Sequence, residues 1–267
     1  MGTPRPSWFR LGDLGAVAIA VALLAAVRLL PPDTSLQQMR TSGTLRACLP
    51  SLYPPLVTND PAAPGLDVDL LRAVARELGV ELTTVTQPAM GQSFNPRDWR
   101  VTRAACDILA GGVADTPQSR GFLDVTAPYA TTGWAWLART PQAAPQLRHV
   151  GVLVGLSGLD RIGLATWLHA AGAEVAIVGD PAALVQGLAD GRFETGIAER
   201  LSAIALAQQQ GWASGWMPPD LPRVPLVLGL WKGDLTLKRA IADALVRLQR
   251  QGTIATILTH YAPDDGP

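Results

Sequence analysis

The sequence predicts an α/β protein built as two open α/β lobes joined by a two-strand hinge. Three observations carry this. From Thr44 onward, strand-like and helix-like segments alternate, the pattern of a mainly parallel sheet covered by helices. The alternation occurs twice with the same grammar, before and after the Pro/Ala stretch "PQAAPQ". A late strand and two closing helices then follow the second run. One lobe is expected at 43–140 plus 227–262, the other at 148–220, and residues 1–35 stand apart.

Those first residues read as an export segment. Arg5 and Arg10 precede an apolar run from Leu14 to Val27, closed by Arg28 and the breakers Pro31 and Pro32. The run is shorter than the roughly 20 residues of a full span. No small-x-small cleavage site is clear after it, and no cysteine stands there for lipid attachment. The segment is therefore either a cleaved signal or a retained anchor over 11–30, with Arg28 snorkelling to the outer interface. Either way the rest of the chain is expected in the periplasm.

"TLRACLP" (Thr44 to Pro50) is a short strand running into a turn-rich loop. "LDVDLLRAVARELGV" is an amphipathic helix with Val68, Leu71, Val74, Ala75 and Leu78 on one face, Asp67 as its cap and Gly79 as its stop. "VELTTVTQ" is a strand, and "WRVTRAACDILAG" leads through a short helix into a buried one. "TTGWAWLART" is a longer strand that places Trp134 and Trp136 on the same side. Trp136 is expected to pack the hinge, while Trp134 either flanks the cleft or packs there too.

The second lobe runs strand "HVGVLVG", a helix within "LSGLDRIGLATWLHAAG", and strand "AEVAIVG". The helix "DPAALVQGLADG" follows, with Asp180 as cap, Pro181 in the first turn and Gly191 after the end. Then come strand "RFETGIAE" and helix "RLSAIALAQQQG". Strand "LVLGLWKG", a helix capped by Thr236 and the helix "TIATILTHY" close the chain.

Composition excludes some functions. The 267 residues carry 22 basic and 22 acidic side chains, without the basic excess of a nucleic-acid binder. The only histidines, His149, His169 and His260, avoid the strand ends where a general acid or base would stand, and no serine elbow, phosphate loop or metal-ligand spacing is present. No enzyme, metal or cofactor is expected. Cys48 and Cys106 form an even pair, which in an oxidising compartment fits a disulfide. The alternative is two small buried core residues.

Six stretches carry a resemblance. "GTLRACLPSLYPPLV", "PGLDVDLLRAVARELGVEL", "CDILAGGVADTPQSRGFLDVTAPYATTG", "HVGVLVGLSG", "ALVQGLADGRFETGIAE" and "LVLGLWKGDLTLKRAIADALVRLQRQGT" occur in the order seen in type II periplasmic solute-binding proteins of family 3. The chain resembles these polar amino-acid receptors of ABC importers. The resemblance implies the periplasmic-binding-protein type II fold, a monomer, an amino-acid-like or carboxylated ligand held in the interlobe cleft, and an inner-membrane permease as partner.

In such receptors an arginine grips the ligand carboxylate, a polar helix start in lobe two assists, and a carboxylate takes the ammonium. Carried over residue by residue, the arginine position falls on Ser119, with Arg120 one residue later, so Arg120 either enters the cleft or lies on the surface. The usual threonine after the strand's glycine is replaced by Ala114, and the acidic residue of the first loop by Pro50. Tyr53 keeps the aromatic over the ligand, Gly155 and Ser157 keep the helix start, and Gly111 and Gly112 let a ligand approach the strand end. Glu199 stands at the ammonium-binding carboxylate, or caps a helix beside Arg200.

Cys48 and "CDILAGG" also resemble a subgroup that accompanies periplasmic quinoprotein alcohol dehydrogenases, which makes such a dehydrogenase the alternative partner. A dehydratase-like enzyme of this fold is the remaining alternative.

Overall fold

The computed structural model describes residues 15–22, 33–90, 96–140, 145–155, 158–218 and 221–263. The chain divides into two units, Met1–Thr34 and Ser35–Pro267. In the first, residues 15–22 form helix α1. The anchor expected over 11–30 lies partly outside the described residues. Among those described, no helix is long and apolar enough to cross a membrane.

The second unit contains two five-stranded sheets and a two-stranded ribbon among its described residues. The first sheet is built from β1 (Thr44–Leu49), β2 (Glu81–Thr86), β3 (Ile108–Leu109), β4 (Leu123–Val125) and β12 (Gly229–Trp231), in the order β2-β1-β3-β12-β4. β1 runs parallel to β2 and β3, while β12 is antiparallel to β3 and β4. Helices α2 (Ser35–Ser42), α3 (Leu66–Leu78), α4 (Pro117–Phe122), α8 (Leu235–Arg250) and α9 (Thr253–Tyr261) accompany it. α3 packs on both α8 and α9.

The second sheet contains β6 (Trp134–Ala138), β7 (His149–Leu153), β8 (Glu174–Val178), β9 (Thr195–Glu199) and β10 (Ala213–Trp216), ordered β10-β6-β9-β7-β8. Helices α5 (Arg161–Ala170), α6 (Pro181–Ala189) and α7 (Arg200–Gln210) belong to this half. β7 is parallel to β8 and β9. Between the sheets, β5 (Ala130–Thr132) and β11 (Val224–Leu226) pair antiparallel, with Thr132 opposite Val224. This ribbon is the two-strand hinge.

Local chemistry accounts for most elements. α3 buries Leu66, Leu70, Leu71 and Val74, and Gly79 ends it at φ 72 with its N–H on the carbonyls of Ala75 and Arg76. Asp180 caps α6 through the N–H of Ala183, with Pro181 in the first turn.

Elsewhere the elements depart from expectation. Asp67 is not the cap of α3, whose N-cap is Gly65. Thr236 is not the cap of α8, whose N-cap is Asp234. Thr236 sits inside the first turn, where its hydroxyl lies 3.1 Å from that of Ser35. Residues 117–122 form a short helix, because Thr116 caps it through the N–H of Ser119 and Pro117 presets its first φ. "TTGWAWLART" divides at Gly133 into a hinge strand and β6, and β6 pairs with β9 and β10 in the second sheet.

Cys48 and Cys106 form a disulfide across a sequence separation of 58. Both are fully buried, in a cluster with Met90, Trp99, Leu109, Val113 and Leu123. The bond fastens β1 to the turn that delivers β3, so it constrains the unfolded chain across the first βαβ unit. Replacing both cysteines by serine is expected to lower unfolding free energy by about 2–5 kcal/mol. Urea denaturation of the variant beside the oxidised parent measures this directly.

Candidate functional site

The cleft floor is built on Asp67. Its side chain is fully buried in the first turn of α3, where Oδ2 accepts the N–H groups of Gly111 (2.5 Å) and Gly112 (3.0 Å) and Oδ1 accepts the Tyr129 hydroxyl (2.6 Å). Burial, the largest effect, raises the Asp67 carboxyl above its ordinary range, while these bonds pull the other way. Burial and the facing Asp67 charge together push Tyr129 well above a normal phenol.

The Gly-Gly pair therefore serves the protein itself. The N–H of Gly112, expected beside a ligand, is donated to Asp67. Gly111 has φ +87, and a Cβ there would lie 2.2 Å from Pro50 Cδ.

Close contacts join the lobes above this floor. The Tyr53 hydroxyl, from the first loop, is buried against Gly155 after β7, where an added Cβ would lie 2.6 Å from it. A Cβ on Gly158 would lie 2.7 Å from Ala114 Cβ. The Ser202 hydroxyl, at the start of α7, lies 3.0 Å from the Pro54 carbonyl. Small residues on both sides let the lobes meet where a receptor would hold its solute. Ser157, predicted at this helix start, lies outside the described residues.

Glu199, only 1% exposed, ends β9 and caps α7. Oε1 accepts the N–H of Leu201 (3.0 Å) and the Thr132 hydroxyl from the hinge. Oε2 accepts the N–H of Ser202 (2.9 Å), with the Ser202 hydroxyl at 3.1 Å. These partners all come from the chain, so the carboxylate expected to take an ammonium serves as a buried helix cap. Burial raises its carboxyl above the usual range against these bonds.

Arg120 also departs from the clamp. Its side chain is 63% exposed and forms a fork on Asp115, with Nε to Oδ1 at 2.5 Å and Nη2 to Oδ2 at 2.6 Å. The register of α4 explains this. Thr116 as cap turns Ser119 inward, where the two hydroxyls lie 3.1 Å apart. The next residue points about 100° away around the helix. Trp134 is 2% exposed and donates its indole N–H to the Asp160 carbonyl at 3.0 Å, so it supports the α5 start from beneath.

Beside the closed seam lies a cavity of about 730 Å³ that both lobes line. Arg97, Thr116, Pro117, Gln118 and Gly121 come from the first lobe, and Gly158, Leu159, Asp160, Arg161 and Ile162 from the second. Arg161 donates from Nη2 to the Gly155 carbonyl at 3.0 Å, and burial lowers its pKa. Asp160 Oδ1 accepts the N–H of Gly163 at 2.7 Å as the α5 cap. The sequence reading missed both arginines. Arg97 sits in a single 3-10 turn, Pro96–Trp99, too short to show a period, but Arg161 carried a signal as the first helical residue after the lobe-two glycine turn. Among the described residues, no group of His, Cys, Asp and Glu has metal-site geometry.

A further missed cluster lies by the hinge. Trp216 carries the guanidinium of Arg200 at 5.1 Å from its ring centre and that of Arg223 at 4.2 Å. It thus links the start of α7 to the returning chain.

Two α/β lobes on a strand hinge with a cavity between them define the solute-binding class. Residues 45–264 match the Bacterial extracellular solute-binding proteins, family 3, and the chain belongs to this family. Among curated proteins, none matches its sequence significantly.

Solved structures match in fold. An ancestral cationic amino acid solute binding protein is 22% identical, covers 85% of this chain and 99% of its own, and superposes with a TM-score of 0.70. The substrate-binding protein of a polar amino acid ABC uptake transporter from Streptococcus thermophilus is 18% identical, with 88% and 91% covered and a TM-score of 0.66. An ancestral amino-acid-binding protein described as a precursor of cyclohexadienyl dehydratase is 22% identical, with 85% and 99% covered and a TM-score of 0.62.

Two outcomes follow. Arg120→Ala is expected to leave solute affinity unchanged within twofold, as titration calorimetry would show. The Glu199 carboxyl has a folded-state pKa above its unfolded value. The native state therefore holds the extra proton, and the associated stability is complete below the ordinary carboxylate value and lost as pH rises through the folded one. The stability gap between parent and Glu199→Gln is expected to narrow from pH 5 to pH 7.5 in urea denaturation.

Proposed function

We propose that this chain is a periplasmic solute receptor that holds a small carboxylated solute between its lobes and hands it to an ABC importer permease. The single observation behind this is the cavity of about 730 Å³ that both lobes line, with Arg97 and Arg161 among its walls. That volume lies within the roughly 300–1,000 Å³ usual for small-molecule sites. A ligand touching both lobes favours their closure about the β5–β11 ribbon, and a permease can read that closure. Family membership supports the importer partner and the location outside the cytoplasmic membrane. The role is binding without catalysis.

Accessory service to a periplasmic quinoprotein dehydrogenase is a second reading, favoured by the Cys48–Cys106 disulfide and by the cleft being filled by Tyr53 and Gly155.

A thermal-shift screen of the purified chain against amino acids, small mono- and dicarboxylates and neutral solutes tests the receptor role. A true ligand at 100 times its Kd is expected to add about 2.7 kcal/mol of stability. Silence across the whole panel would sink the receptor role and leave the accessory one.

A further inference from the structure

One hydroxyl stands between two acceptors on opposite sides of the cleft. Ser202, buried in the first turn of α7, places its Oγ 3.1 Å from Glu199 Oε2 in its own lobe and 3.0 Å from the Pro54 carbonyl in the first loop of the other. A serine hydroxyl owns one proton, so against an ionised Glu199 it makes one of these bonds and forgoes the other. Hydrogen bonds to ionised groups are roughly twice as strong as neutral ones, so the carboxylate takes the proton. The bond that crosses the cleft is the one lost.

A protonated Glu199 reverses the choice. Oε2–H donates to Ser202 Oγ, which still has its own proton for the Pro54 carbonyl, and both short distances are satisfied at once. The other contacts of the carboxyl survive the change. Oε1, left as the carbonyl oxygen, has two lone pairs for its two donors, the N–H of Leu201 and the Thr132 hydroxyl. Oε2 keeps the N–H of Ser202.

The surroundings bear on this proton. Full burial favours the neutral carboxyl and moves its titration upward from the usual carboxylate range. Asp67 of α3 and Tyr129 before the hinge both feel the Glu199 charge. The bonds of Asp67 go to Gly111, Gly112 and Tyr129, so its own titration leaves the Ser202–Pro54 contact alone. Arg200, next on α7, carries its guanidinium over Trp216, with Arg223 on the same ring. On α5, Arg161 bonds the Gly155 carbonyl and Asp160 caps its own helix. The residue of β6 opposite Glu199 is the uncharged Trp134.

We propose that Ser202 is a proton-operated latch between the lobes: its hydroxyl turns to Glu199 when that carboxylate is ionised, and to the Pro54 carbonyl when Glu199 takes a proton from solvent on Oε2, so acid favours the closed form. The latch is independent of the solute and of the partner, since neither enters it.

Double electron–electron resonance on the purified full chain, without added solute, tests it. Nitroxides on Thr83→Cys in β2 and Thr166→Cys in α5, both exposed and one in each lobe, report the lobe separation. The ratio of closed to open molecules is expected to rise about threefold or more from pH 8 to pH 5, the effect of one gained hydrogen bond. Ser202→Ala removes the latch and keeps the carboxyl, while Glu199→Gln removes the titrating group. Each is expected to abolish the rise. A ratio that does not change with pH in the parent, or a rise that persists in either variant, would overturn the latch. Where Glu199→Gln disturbs folding, Ser202→Ala decides alone. Asp67 and the exposed His149, His169 and His260 still titrate in that variant, so it separates the latch from other effects of pH.

Discussion

One buried carboxylate ties the second lobe to the hinge. Glu199 ends a strand of the second sheet, starts α7 and reaches Thr132 on the hinge, all from full burial. Its neighbour Ser202 lies within bonding distance of both Glu199 Oε2 and the Pro54 carbonyl across the cleft. A hydroxyl has one proton, so it donates to only one of these at a time. A buried carboxylate is tolerable only with such a set of donors, since an unpaired one would cost several kcal/mol. The geometry that satisfies it therefore fixes the angle between α7 and the hinge strand. Asp67 does the same on the other side, tying α3 to the Gly111–Gly112 turn and to Tyr129 just before the hinge.

Both carboxylates are bonded into the frame of the protein. Here Glu199 bonds its own helix N-terminus, accepting the N–H groups two and three positions ahead. At the opposite end Ser119 occupies the inward position of α4 while Arg120 turns out to Asp115. Both side chains are thus bonded to the chain itself.

The fold was legible because it rests on periodic signals. The apolar face of α3, the Asp-Pro start of α6 and the Gly stops are local, and the structure keeps them. The double β-α alternation was enough to reveal two lobes. What failed depended on contacts distant in sequence. Asp67 reads as a cap by position, yet its partners lie 44, 45 and 62 residues away. Thr236 reads as a cap as well, but Ser35 meets it across 201 residues. The disulfide was expected from an even cysteine count in an oxidising compartment, and its place between β1 and the β3 turn came only with the fold. Arg97 went unread because a single 3-10 turn shows no period, and Arg161 because the helix start drew attention to Gly155 and Ser157 instead.

Glycines complete the account of where a solute can lie. Gly155 and Gly158 have no Cβ, and this lets Tyr53 and Ala114 close on them. An alanine at Gly158 would place its Cβ 2.7 Å from Ala114 Cβ, and one at Gly155 would force the Tyr53 ring to move. The central cleft is thus occupied by protein on both sides. Beside it, among the described residues, a cavity lies toward α4 and the start of α5. Loop and helix-start positions like these vary without disturbing the sheets that carry them.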